Sequence, residues 1–179
     1  MKSREYDFEP EEELILLCLG ANNYSPVKTK IQYQKILFLF SNFKPKYLEL
    51  FEYEPYNFGP YSEPAESIIE DFMVMGFVNK TNSQFFLTEK GKEIVENIKK
   101  NTDSELLDIL DSLKNLANNL SDKELMTFIY LTFPEYTKNS TIWDKLKLEL
   151  PTLIQSLEKK NIFQKDEVEK ILKNVEGTL

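Results

Sequence analysis

The chain has 179 residues, with 22 basic and 30 acidic side chains, no histidine, one cysteine and a formal charge of -8. The missing histidine excludes Ser-His-Asp and Cys-His catalysis, and a single cysteine builds neither a disulfide framework nor a zinc or iron-sulfur centre. An acidic total shifts the burden of any nucleic-acid binding onto local basic patches.

The length suits one domain, or one domain with an appended bundle. No apolar stretch approaches the roughly 18 residues that a membrane span needs. The opening MKSREYDFEPEEE is too acidic and polar for a signal peptide, so a cytoplasmic, soluble protein is expected. None of the 5 glycines falls in GxGxxG or GxxxxGK[ST], and no phosphate-cradling loop is expected. The expectation is no metal site, no cofactor and no enzymatic activity.

Residues 1–9 read as a tail in which Tyr6 and Phe8 are available to pack. Pro10 suits a first helical turn, and Glu11, Glu12 and Glu13 complement the dipole of a helix running to about Gly20. Cys18 sits in its apolar run, Leu14 to Leu19, as a buried reduced thiol. After a loop at residues 22–26, Ser25 and Pro26 are placed to start a helix over about Val27 to Asn42. Ile31, Ile36, Leu37, Leu39 and Phe40 are its apolar residues, with Lys28, Lys30, Gln32 and Lys35 left to solvent.

With Lys44 and Lys46, the window from Tyr24 to Leu48 contains lysines and no acid, whereas Glu49 to Asp71 contains acids and no base. Such an asymmetry implies two faces of opposite charge. Between them lie Phe51, Tyr53, Tyr56, Phe58 and Tyr61 in a turn-rich segment. These rings either fill space inside the fold or present an aromatic patch to a partner.

Pro60 and Ser62 then mark a turn and a cap for a helix over about Glu63 to Met75, with Ile68, Ile69, Phe72, Met73 and Met75 on its apolar stripe. Gly76 ends it. Phe77-Val78 and Gln84 to Leu87 read as two strands around a polar tip, and Thr88 caps a helix to about Lys99. This order predicts a mostly α fold with a small β-hairpin: a winged helix-turn-helix over residues 1–100, followed by a C-terminal helical bundle over 101–179.

In that C-terminal region Thr102 to Glu105 and Ser121 to Glu124 read as capping boxes. Leu106, Ile109, Leu110, Leu113, Leu116 and Leu120 form a stripe able to pair with a second copy, so residues 101–132 are a candidate homodimer surface. Pro134 stops the following helix. Residues 135–140 form a polar connection, and Ile142, Trp143, Leu146 and Leu150 suggest a short helix. Pro151 either breaks it or starts the next, and Val168, Ile171, Leu172 and Val175 mark a last amphipathic helix.

KIQYQKILFLF (Lys30 to Phe40), FGPYSEPAESIIEDFMVMGFV (Phe58 to Val78) and FFLTEKGKEI (Phe85 to Ile94) resemble the YwgA-like proteins and, more distantly, the SocA/Panacea antitoxin-like domains. The resemblance covers about residues 11–100. It implies a small winged-helix-like protein whose antitoxin-like relatives work by binding proteins. LTEKGKEI also looks like the wing-to-helix junction of MarR- and PadR-type regulators, which bind DNA as dimers.

The two analogies diverge. A DNA-reading helix at 62–75 would carry Arg, Lys, Asn or Gln outward, yet the positions expected there are Glu63, Glu66, Ser67, Glu70 and Asp71. The leading expectation is therefore a protein-binding adaptor or antitoxin-like regulator using Glu63, Glu66 and Glu70 with Tyr53, Tyr56 and Tyr61. The alternative is a dimeric transcriptional regulator contacting duplex DNA through Lys28, Lys30, Lys35, Lys44, Lys46 and Lys80. At helical spacing, the three glutamates read as an acidic face rather than as a metal or acid-base site.

Overall fold

The computed structural model describes residues 6–176, with side chains described through residue 173. Residues 1–5 of the expected tail and the side chain of Val175 lie outside the described residues. The chain is mostly α-helical, with two small antiparallel hairpins and a helical C-terminal region. The described residues form two compact units: residues 6–53 with 62–118, and residues 54–61 with 119–176.

In the first unit, α1 (Pro10–Tyr24) opens on a capping box between Glu9 and Glu12. Its regular part ends near Gly20, because Ala21 is extended and Asn22 and Asn23 are left-handed, at φ 50° and 52°. Asparagine tolerates that conformation better than most residues. The freed carbonyls of Leu19 and Ala21 accept from Lys114 Nζ at 2.7 and 2.9 Å. A wholly buried lysine thus caps a helix C-terminus, where positive charge is favoured. Burial pushes its ammonium down to about 8, and likewise pushes the Cys18 thiol up to about 11.

The second helix starts later than Ser25-Pro26 suggests. Thr29 is the cap of α2 (Lys30–Phe43), its hydroxyl accepting from Gln32 N. Val27 is instead extended and bridges to Phe85, with N···O distances of 3.0 and 2.9 Å. A β-branched residue suits that conformation.

All ten residues from Gln32 to Ser41 are buried, so α2 has no solvent face along its middle. This corrects the reading of Gln32 and Lys35 as solvent-facing, since each is only 2% exposed. Gln32 is satisfied internally: Nε2 donates to Ala117 O at 2.9 Å and Oε1 accepts from Lys28 N. Gln34 brackets the backbone of Ser62, accepting from its N–H at 3.0 Å and donating to its carbonyl at 3.1 Å.

A short α3 (Lys46–Phe51) precedes the excursion into the second unit, and the chain re-enters at Ser62, which caps α4 (Glu63–Val74) through Ala65 N. Gly76, at φ 74°, turns the chain into a hairpin. Its strands are β3 (Val78–Thr81) and β4 (Gln84–Leu87), which follow β1 (Glu54–Tyr56) and β2 (Gly59–Tyr61) in the chain. Asn82 and Ser83 are both left-handed, giving a two-residue tip that matches strand twist. Thr88 caps α5 (Glu89–Lys99) and also donates to Gly76 O at 2.7 Å. A Cβ on Gly91 would lie 2.2 Å from Phe77 O, so only glycine fits there.

The helix α6 (Ser104–Asn119) is opened by Asp103, which accepts from Glu105 N. Asp103 thus stands where the sequence suggests Thr102, whose hydroxyl donates to Ile98 O at the end of α5. Lys114 and Gln32 tie α6 into the first unit, whereas the sequence reading places it with the C-terminal region. Of the stripe residues, Leu110, Leu113 and Leu120, the last just beyond the helix, are buried in the folded chain, while Leu106, Ile109 and Leu116 are half-buried.

The second unit contains β1 (Glu54–Tyr56) paired with β2 (Gly59–Tyr61), then α7 (Asp122–Thr132), a 3-10 turn at Pro134–Thr137, α8 (Trp143–Lys159) and α9 (Lys165–Glu176). Asn139 Nδ2 donates to Pro55 O and Thr141 N to Asn57 O, which fasten the hairpin to the later helices. The Ser121–Glu124 capping box forms as the sequence predicts. Pro151 neither breaks nor starts a helix: it lies inside α8, on its exposed side. Leu150, Ile154 and Val168 form a core with Leu131, Trp143, Phe163, Ile171 and Leu172.

Candidate functional site

The outward stripe of α4 is Glu63, Ser67, Glu70, Asp71 and Val74, all exposed, at spacings of one continuous helical face. Ile69 and Phe72 point the other way and are fully buried. Glu63 favours the helix, because its carboxylate lies at the N-terminal end of the dipole. Glu70 and Asp71 lack that advantage. They lie toward the C-terminal end of a helix with no basic residue in its last turn, where the dipole does not favour a negative charge. Helix stability does not account for them.

Glu66 does not join that stripe. Its carboxylate meets Lys30 Nζ at 2.6 Å and its side chain is 17% exposed, so it is an internal bond between α4 and α2. Of the remaining carboxylates expected here, Glu63 and Glu70 face outward, with Asp71 beside them.

The lysines of the alternative reading are scattered in their roles. Lys35 is buried, Lys30 holds Glu66, and Lys44 lies 3.7 Å from Glu105. Lys28 Nζ donates to Asn118 O. Lys46 and Lys80 lie over the rings of Tyr47 and Phe85, at 4.8 and 4.9 Å from the centroids.

The aromatic candidates divide between the units. Tyr53 belongs to the first, half-buried with its ring edge-on to Phe38 at 5.1 Å and tilted against Phe51. Tyr56 and Tyr61 pair across the β1-β2 hairpin at 5.1 Å, and Tyr56 and Phe58 remain exposed at its turn.

At the C-terminal end of α4 the surface opens into a cleft of about 360 Å³ lined by Tyr6, Asp7, Phe8, Glu12, Met75, Phe77 and Lys90. Tyr6 and Phe8 stack on each other, and both meet Phe77 edge-on. Lys90 Nζ lies 4.6 Å from the Phe77 centroid and 5.7 Å from that of Tyr6, and donates to Met75 O at 3.1 Å. The only sequence signal for this feature is the alternation Tyr6-Asp7-Phe8, which implies packing but no recess.

No protein-family model matches this chain, and no curated protein matches it.

Proposed function

We propose that this chain is a non-enzymatic cytoplasmic protein that acts by binding another protein, as an adaptor or antitoxin-like regulator, through the outward face of α4. The observation carrying this reading is that face itself: Glu63, Glu70 and Asp71 are exposed where a groove-reading helix would need cations, and two of the three gain nothing from the dipole of their own helix. Charge that does not serve the fold suits a ligand of opposite sign. The resemblance of residues 11–100 to YwgA-like and SocA/Panacea proteins agrees with it.

The DNA alternative needs a basic surface, and of its lysines Lys35 is buried and Lys30 is paired with Glu66. The test is affinity capture from the native host with wild type and with Glu63→Lys, Glu70→Lys and Asp71→Lys combined. Glu66 is left intact because it bonds to Lys30. Partner recovery should fall at least tenfold in the variant, with unchanged circular dichroism. Equal recovery from both refutes the assignment of this face.

A further inference from the structure

The cleft beside α4 adds a chemical preference to the proposed protein-binding face. Three aromatic rings, Tyr6, Phe8 and Phe77, wall it, and the negative faces of such rings attract cations. Asp7 and Glu12 lie on its lining, and Glu12 spends one carboxylate oxygen on Glu9 N. Asp7 is exposed and bonds to no described group. A recess of about 360 Å³ has room for a long side chain together with part of its backbone.

The chain places an ammonium of its own there. Lys90 extends across from α5, lying over the Phe77 and Tyr6 rings and bonding only to the Met75 carbonyl. Each of these interactions attracts a cation, and none is specific to an ammonium. A guanidinium stacks on aromatic faces better than an ammonium and can engage a carboxylate with two parallel hydrogen bonds.

We propose that this cleft is a subsite for an arginine side chain of a basic peptide segment in the partner, and that Lys90 is its internal occupant until the partner arrives. The inference rests on the protein-binding reading of α4. Its occupant is argued from charge complementarity: the rings, Asp7 and Glu12 are continuous at Met75 with a helix that carries Glu70 and Asp71 outward. An arginine entering the cleft displaces Lys90 to solvent while the flanking basic residues face α4.

The probe is a fluorescein-labelled dodecapeptide of arginine, leucine and alanine, followed by fluorescence anisotropy, with a control peptide in which neutral citrulline replaces every arginine. The full-length protein should bind the arginine peptide at least tenfold more tightly than the control. Tyr6→Ala and Asp7→Asn should each weaken binding by about fivefold. Lys90→Ala should strengthen it by about threefold, because the competing cation is gone.

Binding that is indifferent to Tyr6→Ala and Lys90→Ala, yet lost in the Glu63/Glu70/Asp71 reversal, overturns the cleft while leaving the α4 reading intact. Equal binding of both peptides, with no response to the α4 reversal, overturns both. Circular dichroism of each variant confirms folding, and Lys90→Met serves as a second, bulk-preserving substitution that should also strengthen binding.

Discussion

Glu124 offers the most quantitative test of the second unit. Its carboxylate receives Ser121 N at 2.7 Å, Ser156 Oγ at 2.5 Å and Lys160 Nζ at 2.7 Å, so one side chain closes the α7 capping box and binds α7 to α8. Burial opposes its charge, but the donors from Lys160, Ser156 and Ser121 prevail and hold the carboxyl down at about 2, below its ordinary 4.5. A shift of that size corresponds to roughly 3 kcal/mol at about 1.4 kcal/mol per pH unit. Lys160 is 37% exposed, and screening of the ion pair by water lowers the expected contribution to about 2 kcal/mol.

The folded-state value lies below the unfolded one, so this stability is fully present above pH 4.5 and is lost as pH falls toward 2. Glu124→Gln keeps the shape and removes the charge. Urea denaturation followed by circular dichroism should show the variant about 2 kcal/mol less stable at pH 7, with the gap falling below half at about pH 3. Equal stability at pH 7, or a gap independent of pH, refutes the reasoning.

Gly91→Ala should cost about 2 kcal/mol or more, read as a lowered urea midpoint, because its Cβ would meet the Phe77 carbonyl at 2.2 Å and backbone must move. The Lys114 ammonium is pushed down to about 8, below the 10.5 expected when unfolded, so wild type should gain stability as pH rises past 8. Relative to Lys114→Met, that gain should be about 1 kcal/mol between about pH 8 and 9 in paired urea titrations. Native Cys18 should react with a thiol reagent at least a hundredfold more slowly than in urea, since its thiol is buried and pushed up to about 11. A native rate within tenfold of the unfolded one would show the α1 core to be open.

Some local signals in the chain mark the right geometry, while the caps expected at Ser25 and Thr102 are displaced to Thr29 and Asp103. Gly76, Thr88, Ser62 and the Ser121–Glu124 box mark helix ends where the structure has them. Glu63, Glu70 and Asp71 face outward on α4 as the helical period implies. What failed was any inference that needed to know how many sides of a helix are covered. Charge and polarity at Gln32 and Lys35 imply a solvent face, yet α2 is enclosed all round, and Gln32 reaches a carbonyl 85 positions away. Glu66 departs from the period for the same reason, since its partner Lys30 is brought alongside only by packing of α2 and α4. The cleft depends on Tyr6 and Phe8 reaching Phe77 and on Lys90 arriving from α5, and no local pattern encodes that meeting.

The central claim is that α4 is directed toward protein and not toward a phosphate groove. A mobility shift with nonspecific duplex DNA at low salt tests it most directly, using wild type and the combined Lys28→Glu, Lys46→Glu and Lys80→Glu variant. No shift by either protein is the predicted result. A duplex retarded by wild type and released by the lysine reversal would contradict the account.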